Sequence, residues 1–227
     1  MKQQVDAPVT ANQRLQGDYF RVDFSAPGIA DDVRPGQFVH VQLPDLEQCI
    51  LRRPFSVYDA DPATGRVSVI YKVVGQGTRH LSALATGTAL NVLGPLGNGY
   101  SEPPPASRPV IVAGGYGCAA TYLLAKRSMV PALVLIGGKS AGDILLVNEF
   151  RKCGAEVRVA TEDGSMGLQG LVTDLLIPVM EEKSAAEPRI YACGPNPMLR
   201  AVSDIALGVG RDAELSLDQA MCCGVGA

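Results

Sequence analysis

The 227-residue sequence predicts a β + α/β protein of two domains, an antiparallel β-barrel followed by an α/β domain built on a parallel sheet. Three observations predict it. The first hundred residues carry many short β-type segments separated by Gly and Pro turns. From residue 109 the rhythm changes to alternating strands and helices. Between them lies Ser101-Glu102-Pro103-Pro104-Pro105-Ala106-Ser107, which has no periodicity and whose prolines favour an extended spacer. The expected domains are residues 1–101 and 108–211, with the last residues, from Ala213 on, fitting neither and forming a tail.

The barrel elements come in order. Phe20, Val22 and Phe24 alternate with Arg21, Asp23 and Ser25, the period of a half-buried strand. Pro35-Gly36 turns the chain into Phe38 to Leu43, and a third strand runs from Arg53 to Tyr58. The turn at Asp61 to Gly65 leads into a fourth, Arg66 to Val74. Gly75-Gln76-Gly77-Thr78 opens a short helix, Arg79 to Ala85, and Ala89 to Leu93 is a further strand. In the second domain the strands are expected at Val110–Ala113, Ala132–Ile136, Glu156–Ala160 and Arg189–Cys193. The helices are expected at Ala119–Arg127, Asp143–Arg151, Leu171–Glu182 and Pro197–Leu207.

A hydrophobic content of 47% with 19% charged residues describes a soluble globular chain. No apolar run reaches the ~18–20 residues that span a bilayer, so no membrane association is expected. The N-terminus has no apolar segment of the secretory type. A net charge of −3 leaves no basic footprint for nucleic acid. Six cysteines, at 49, 118, 153, 193, 222 and 223, show no spacing that frames disulfides or tetrahedral zinc, and a reducing cytoplasm suits them.

The stretch around which the chain is organised is Pro109 to Ala120. Val110, Ile111 and Val112 read as a strand buried on both faces. Gly114, Gly115 and Gly117 then allow a tight turn and a close approach of a bulky anion. The next helix points its free N–H groups at that anion, so strand, glycine turn and helix together suit a pyrophosphate. Gly75-Gln76-Gly77-Thr78 supplies a second helix start of this kind. Arg52 and Arg53 add two guanidinium groups, which match phosphate bidentately, and Ser56 offers a hydroxyl donor that can meet a ring nitrogen.

Arg53-Pro54-Phe55-Ser56, Gly77-Thr78, Leu93-Gly94-Pro95-Leu96-Gly97-Asn98-Gly99, Gly114-Gly115-Tyr116-Gly117 and Cys193-Gly194-Pro195-Asn196-Pro197-Met198 occur in that order. The succession resembles the ferredoxin–NAD(P) reductase superfamily. Thr161-Glu162-Asp163-Gly164-Ser165 with Gly170 to Asp174, and Leu215-Ser216-Leu217 leading to Met221-Cys222-Cys223-Gly224-Val225-Gly226-Ala227, narrow it. These are similar to the electron-transfer subunits of NAD-linked, two-subunit dihydroorotate dehydrogenases.

The resemblance implies a flavoprotein subunit that passes electrons between FAD and NAD(H) for a dihydroorotate-oxidising partner in pyrimidine biosynthesis. It implies an FAD-binding barrel over 1–101, an NAD-binding domain over 108–211, and the incomplete start of a [2Fe–2S] module over 212–227. Arg53, Pro54, Phe55 and Ser56 would lie at the flavin and its phosphates, and Ile70, Tyr71 and Lys72 would line the same site. Gly77 and Thr78 would bind the FAD diphosphate. Gly114, Gly115 and Gly117 would approach the NADH pyrophosphate, with Cys193, Gly194 and Pro195 near the nicotinamide. Ser56 and Cys193 would then be the catalytic residues, those beside the redox chemistry. Glu162 and Asp163 would face the adenosine side, where acidic groups suit ribose hydroxyls and disfavour a 2′-phosphate. Lys139, after Gly137-Gly138, reads as an exposed lysine at a turn. The implied partner is an FMN-containing dihydroorotate dehydrogenase catalytic subunit, in a heterotetramer.

The sequence departs from the family in places. Alanine stands at 120 where a proline usually succeeds the turn, and Cys118, like Cys49 and Cys153, reads as a small buried hydrophobe. His40 reads as structural and His80 as a surface residue. Four cysteines hold the family's cluster. Cys223 matches the first metal ligand and the sequence stops at Ala227, so no [2Fe–2S] cluster is expected on these 227 residues. Two other readings stay open: the reductase subunit of a sulfhydrogenase or a ferredoxin-dependent NADP reductase, and a nucleotide-binding module without redox work.

Overall fold

A computed structural model describes residues 1–46, 51–105, 107–182 and 186–217. The chain forms two compact units, Met1–Gly99 and a second beginning at Tyr100.

In the first unit, β1 (Gln3–Gln16), β2 (Tyr19–Ser25), β3 (Phe38–Gln42), β4 (Arg53–Asp61), β5 (Arg66–Lys72) and β6 (Ala89–Leu96) close into a barrel. Their order is β1-β2-β5-β4-β3-β6, and every pair is antiparallel. Alternation does the sorting. Val22 pairs with Val69 and Phe24 with Val67, and these residues fill the inside with Val39, Val41, Val57, Leu90 and Val92. Two short helices accompany the strands, α1 (Pro27–Asp32) and α2 (Gln76–Ala83). Helix α2 starts three residues before the expected Arg79, because Gly75 takes the capping position in extended geometry.

Strand β1 and helix α1 have no counterpart in the sequence reading. β1 is rich in polar residues and lacks a clean period, since it serves two neighbours in turn. Residues 3–8 pair with β6 and residues 9–16 with β2, with register shifts near Val9 and Arg14 that bend it around the barrel. Strands β4 and β6 run three residues further than expected and β5 ends at Lys72.

The second unit carries β7 (Ser107–Gly114), α3 (Gly117–Arg127), β8 (Leu133–Gly138), α4 (Val147–Lys152), β9 (Glu156–Thr161) and β10 (Leu168–Gln169). It continues with α5 (Val172–Glu181), β11 (Glu187–Cys193), α6 (Asn196–Gly208) and β12 (Ala213–Ser216). The sheet is parallel throughout in the order β10-β9-β8-β7-β11-β12. Val110, Val112, Leu133, Leu135, Ile190 and Ala192 face Leu176 and Val179 of α5 and Leu199 and Val202 of α6. Helix α3 is buried from Gly117 to Ala125.

Two expectations change here. The helix expected over 143–151 is divided: Ala141–Asp143 forms a 3-10 turn, Leu146 takes a positive φ of 62°, and α4 begins only at Val147. Residues 213–216, read as part of a tail, add β12 to the sheet beside β11. The proline stretch is anchored at its start. Glu214 accepts the Ser101 N–H at 2.9 Å and the Ser101 hydroxyl, and it pairs with Arg189 at 3.0 Å. Tyr100 donates its hydroxyl to the Ala192 carbonyl at 3.1 Å.

Candidate functional site

In the barrel unit, β4 and α2 bring together residues 24 apart in sequence. A Cβ placed on Gly77 would lie 3.3 Å from Nε of Arg53 and 3.1 Å from Leu43, so the guanidinium rests against the first turn of α2. The same test at Gly75 meets nothing within 4 Å, which leaves the helix start open on that side. First-turn N–H groups have no intrahelical acceptor, and the helix dipole is positive there. A guanidinium beside such a turn is the donor set of a phosphate.

The Thr78 hydroxyl is engaged within its own turn. It accepts the Val74 and Gly75 N–H groups at 3.0 and 3.2 Å and donates to the Gly75 carbonyl at 3.2 Å. Thr78 therefore shapes the turn, and what it offers a phosphate is its backbone. Arg52 is occupied by neighbouring strands. It donates to the Asn91 carbonyl at 2.9 Å and to the Asn91 and Gln42 side chains, tying β6 to β3. Only Arg53 of the pair reaches α2, while its Nη1 holds the Leu51 carbonyl.

Strand alternation divides the other residues expected at the flavin. Phe55 and Tyr71 share the row of Val57 and Val69; their rings are 5.7 Å apart, and Phe20 stacks on Tyr71 at 5.9 Å. Pro54, Ser56, Ile70 and Lys72 belong to the opposite row. The side chains of Ile70 and Lys72 therefore leave one face of the sheet and that of Tyr71 the other. Lys72 lies over the Tyr19 ring at 4.9 Å. Burial pushes the Tyr71 phenol above its usual range, so it stays a neutral donor, to Asn12 Oδ1 at 3.4 Å. His80, expected at the surface, is half-buried and donates from Nε2 to the Pro44 carbonyl at 2.8 Å. His40 is fully buried, with its ring 5.3 Å from Phe38.

In the α/β unit the chain steps outward from β7 through β8 and β9, then returns to β11 on the other side of β7. The carboxyl ends of β7 and β11 flank this reversal, the place where such sheets take a ligand. The three glycines divide the work. Gly115 takes a positive φ of 56°. A Cβ on Gly117 would overlap the Cys193 carbonyl, and one on Gly114 would sit 2.9 Å from Pro195 and from Met198 Sδ. The glycine turn and Cys193-Gly194-Pro195 are therefore pressed together. No side chain caps the start of α3.

Glu162 and Asp163 are exposed just after β9, beside the turn at the end of β8. Their N–H groups donate to the Gly138 and Lys139 carbonyls at 3.1 and 3.2 Å. Asp163 is also employed locally: it accepts the Ser165 hydroxyl at 2.6 Å and the Ser165 N–H at 2.9 Å. These bonds, the hydroxyl first, hold its carboxyl below the usual range. Ser165 in turn accepts the Ala141 N–H at 2.7 Å, joining the two turns. Lys139 is exposed, as expected.

Cys193 and Cys118 are buried, and burial pushes the Cys118 thiol up to about 12, with Cys193 adding to it. Cys118 is thus the small hydrophobe expected. Cys49, Cys222 and Cys223 lie outside the described residues. Among the described residues no group of three or more His, Cys, Asp and Glu could hold a metal ion. No described helix is long and apolar enough to cross a membrane. A cleft of about 440 Å³ opens elsewhere on the barrel, among Lys2, Asp32, Arg34, Gln37 and Asn98. Sequence reasoning missed Asn12, which reaches α2 from β1, and no local signal marks it, because asparagine in a polar strand is unremarked by any period.

Residues 6–100 match the oxidoreductase FAD-binding domain family. The chain is 33% identical over 227 residues to the dihydroorotate dehydrogenase B (NAD(+)) electron transfer subunit of Fusobacterium nucleatum, covering 98% of this chain and 86% of that one. The subunit of the same name from Geobacillus kaustophilus is 39% identical over 223 residues, covering 96% and 84%. Among solved structures, the NADH-dependent reduced ferredoxin-NADP oxidoreductase matches with a TM-score of 0.83 at 28% identity, over 98% of this chain and 80% of that chain. The ferredoxin reductase in carbazole 1,9a-dioxygenase matches in fold with a TM-score of 0.79 at 21% identity, over 95% and 69%. Joined by a barrel and a parallel sheet of the ferredoxin reductase kind, these near full-length matches settle the lineage: the chain belongs to the family of dihydroorotate dehydrogenase B (NAD(+)) electron transfer subunits.

Proposed function

We propose that this chain is a flavoprotein subunit that passes electrons between NAD(H) and FAD on behalf of a partner that oxidises dihydroorotate. The observation that carries the reading is the Arg53 guanidinium against Gly77 at the start of α2, inside the matched FAD-binding domain. A cation, a helix start and an open glycine form a donor set that fits the diphosphate of FAD. When bound, flavin and nicotinamide supply the hydride exchange themselves.

The protein's contribution is to bind and orient. Arg53 and the first turn of α2 hold negative charge at one end of the flavin site. Ser56, half-buried on β4, offers its hydroxyl as a donor toward the flavin ring. Ile70, Lys72 and Pro54 stand on the same row as Ser56 and form a wall beside it. In the α/β unit, Gly114, Gly115 and Gly117 shape the turn that receives the NADH pyrophosphate. Cys193, Gly194 and Pro195 close the other side of that crevice, near the nicotinamide. Glu162 and Asp163 accept from ribose hydroxyls and oppose a 2′-phosphate. The partner we infer is an FMN-containing catalytic subunit, with which the chain forms a heterotetramer in the cytoplasm; Cys223 is the candidate cluster ligand on this side.

The test is the visible spectrum of the purified protein under anaerobic conditions. A yellow protein bleached by NADH, from which acid releases FAD, is the expected result. A colourless protein that binds nucleotide, or one that releases only FMN, overturns the proposal.

A further inference from the structure

Helix α2 has eight residues, and Gly77 and Leu81 are its only buried ones. Two turns of helix are marginal alone, and one large apolar anchor does not fix their tilt. Polar contacts do that here. At the far end from Gly77, the Asn12 side chain donates to the Leu81 carbonyl at 2.8 Å and to the Leu84 carbonyl at 3.1 Å. Its oxygen accepts the Tyr71 hydroxyl at 3.4 Å. Asn12 pairs with Val22 and Val22 with Val69, so it belongs to the inner row of the barrel and reaches the helix from within. Midway, His80 holds the Pro44 carbonyl at 2.8 Å, next to the Leu43 that touches Gly77.

The Leu81 carbonyl also accepts the Leu84 N–H at 3.2 Å, so Asn12 adds a second donor there and a donor to the Leu84 carbonyl beyond the last turn. The same amide is tied through Tyr71 to Phe55 and so to β4, the strand that presents Arg53. We propose that Asn12 is a positioning residue for the diphosphate of FAD: by gripping the C-terminal carbonyls of α2 it keeps the first turn of that helix against Arg53. This rests on the reading that Arg53 and α2 hold the diphosphate. The role is indirect, since Leu81 lies four residues past Gly77, about 6 Å along the helix at 1.5 Å per residue.

The consequence is a selective one. FAD carries a diphosphate and FMN a single phosphate on the same ring, so a displaced α2 costs FAD more. The experiment titrates FAD and FMN into the full-length apoprotein, for wild type, Asn12→Ala, Asn12→Ser and Gly77→Val, with a thermal melt of each. Asn12→Ala should weaken FAD about tenfold and FMN less than about twofold, the scale of lost hydrogen bonds at one end of the helix. Asn12→Ser keeps one donor and should fall between; it also serves if the alanine variant fails to fold. Equal losses for both flavins would make Asn12 a part of the barrel only and overturn the proposal, as would an unchanged FAD affinity. Gly77→Val tests the underlying reading, because it drives the helix start off Arg53 directly. If wild type does not prefer FAD, or Gly77→Val leaves that preference intact, the diphosphate reading falls and the proposal with it. If Gly77→Val abolishes the preference and Asn12→Ala does not, the proposal alone falls.

Discussion

At the start of α2 a glycine is pressed against an arginine; at the start of α3 two glycines are pressed against the protein's own backbone and a methionine. The two turns look alike as sequence, yet they make room for different things. The barrel turn brings a permanent cation to a helix start whose Thr78 hydroxyl is already engaged with the Val74 and Gly75 N–H groups. The α/β turn is defined by uncharged neighbours, Cys193, Pro195 and Met198, and by the conformational freedom of Gly115. A charged anchor suits a cofactor that stays. An uncharged, closely fitted crevice suits one that must arrive and leave at every turnover. The contrast therefore matches the division between a resident flavin and a diffusing nicotinamide nucleotide.

The sharpest way to break this contrast is Gly117→Val. The new side chain would overlap the Cys193 carbonyl, a clash with backbone that no rotamer relieves. Overpacking of this kind costs about 1–3 kcal/mol of stability. Because it separates the two loops at the crevice, flavin reduction by NADH should slow by about 100-fold or more. Stopped-flow reduction measures this, and retained FAD in the same variant shows that the damage stays in the α/β unit. A rate within a few-fold of wild type would mean that the close fit is not what receives NADH.

Arg53→Ala removes the cation from the other turn. FAD binding should weaken by about 1.5–3 kcal/mol, or roughly 10- to 150-fold, the worth of a hydrogen bond to a charged group. Arg53→Lys should recover only part of it, since an ammonium cannot reproduce the planar fork. Unchanged flavin occupancy in Arg53→Ala would remove that residue from the site and erase the contrast.

A third, smaller effect concerns the choice of nucleotide. If, as proposed, the exposed Glu162 and Asp163 face the adenosine ribose, a 2′-phosphate would meet like charge, and NADPH should reduce the flavin about tenfold more slowly than NADH. Glu162→Gln should narrow the gap, and the gap should shrink as salt is raised. Equal rates for the two nucleotides in wild type would show that Lys139 offsets both acids.

The smallest effect lies away from both turns. Glu156, at the start of β9, bridges Arg158 and Arg108 at 2.8 and 2.6 Å. The bond from Arg158, then that from Arg108, holds its carboxyl below the ordinary value of 4.5. A depressed carboxyl adds stability that is present above 4.5 and is lost as pH falls through the lower folded value. The pair is half-exposed, so the contribution is under about 1 kcal/mol. Thermal melts of Glu156→Gln should fall slightly below wild type at pH 7 and converge with it near pH 3.

The glycine turns, the β11 loop and most strands were legible because each is a local fact: a β-branched run, a glycine that must bend, a period of two. What stayed hidden was relational. Arg52 and Arg53 are chemically identical neighbours, and only strand direction sends one to α2 and the other to Asn91. Which faces Ile70, Tyr71 and Lys72 take is set by the alternation of β5. The polar β1 gives no period because its two halves serve different partners, and with it Asn12 escaped notice. Leu146, a strong helix former, sits at positive φ where the expected helix breaks, since the chain must turn back toward α4 there.

The bond between Ser101 and Glu214 joins positions 113 residues apart, at the entrance and the far edge of the α/β unit. A unit fastened at its own beginning and end behaves as a closed cassette. Its termini are held near one another by a side chain, so polypeptide can be attached before and after it without reopening the sheet. Cutting the chain before Asp212 would remove both acids that hold Arg189 and unfasten the entrance, although nothing in the nucleotide crevice had been touched. Ser101, where the unit begins, is thus held against β12, the last strand of the sheet.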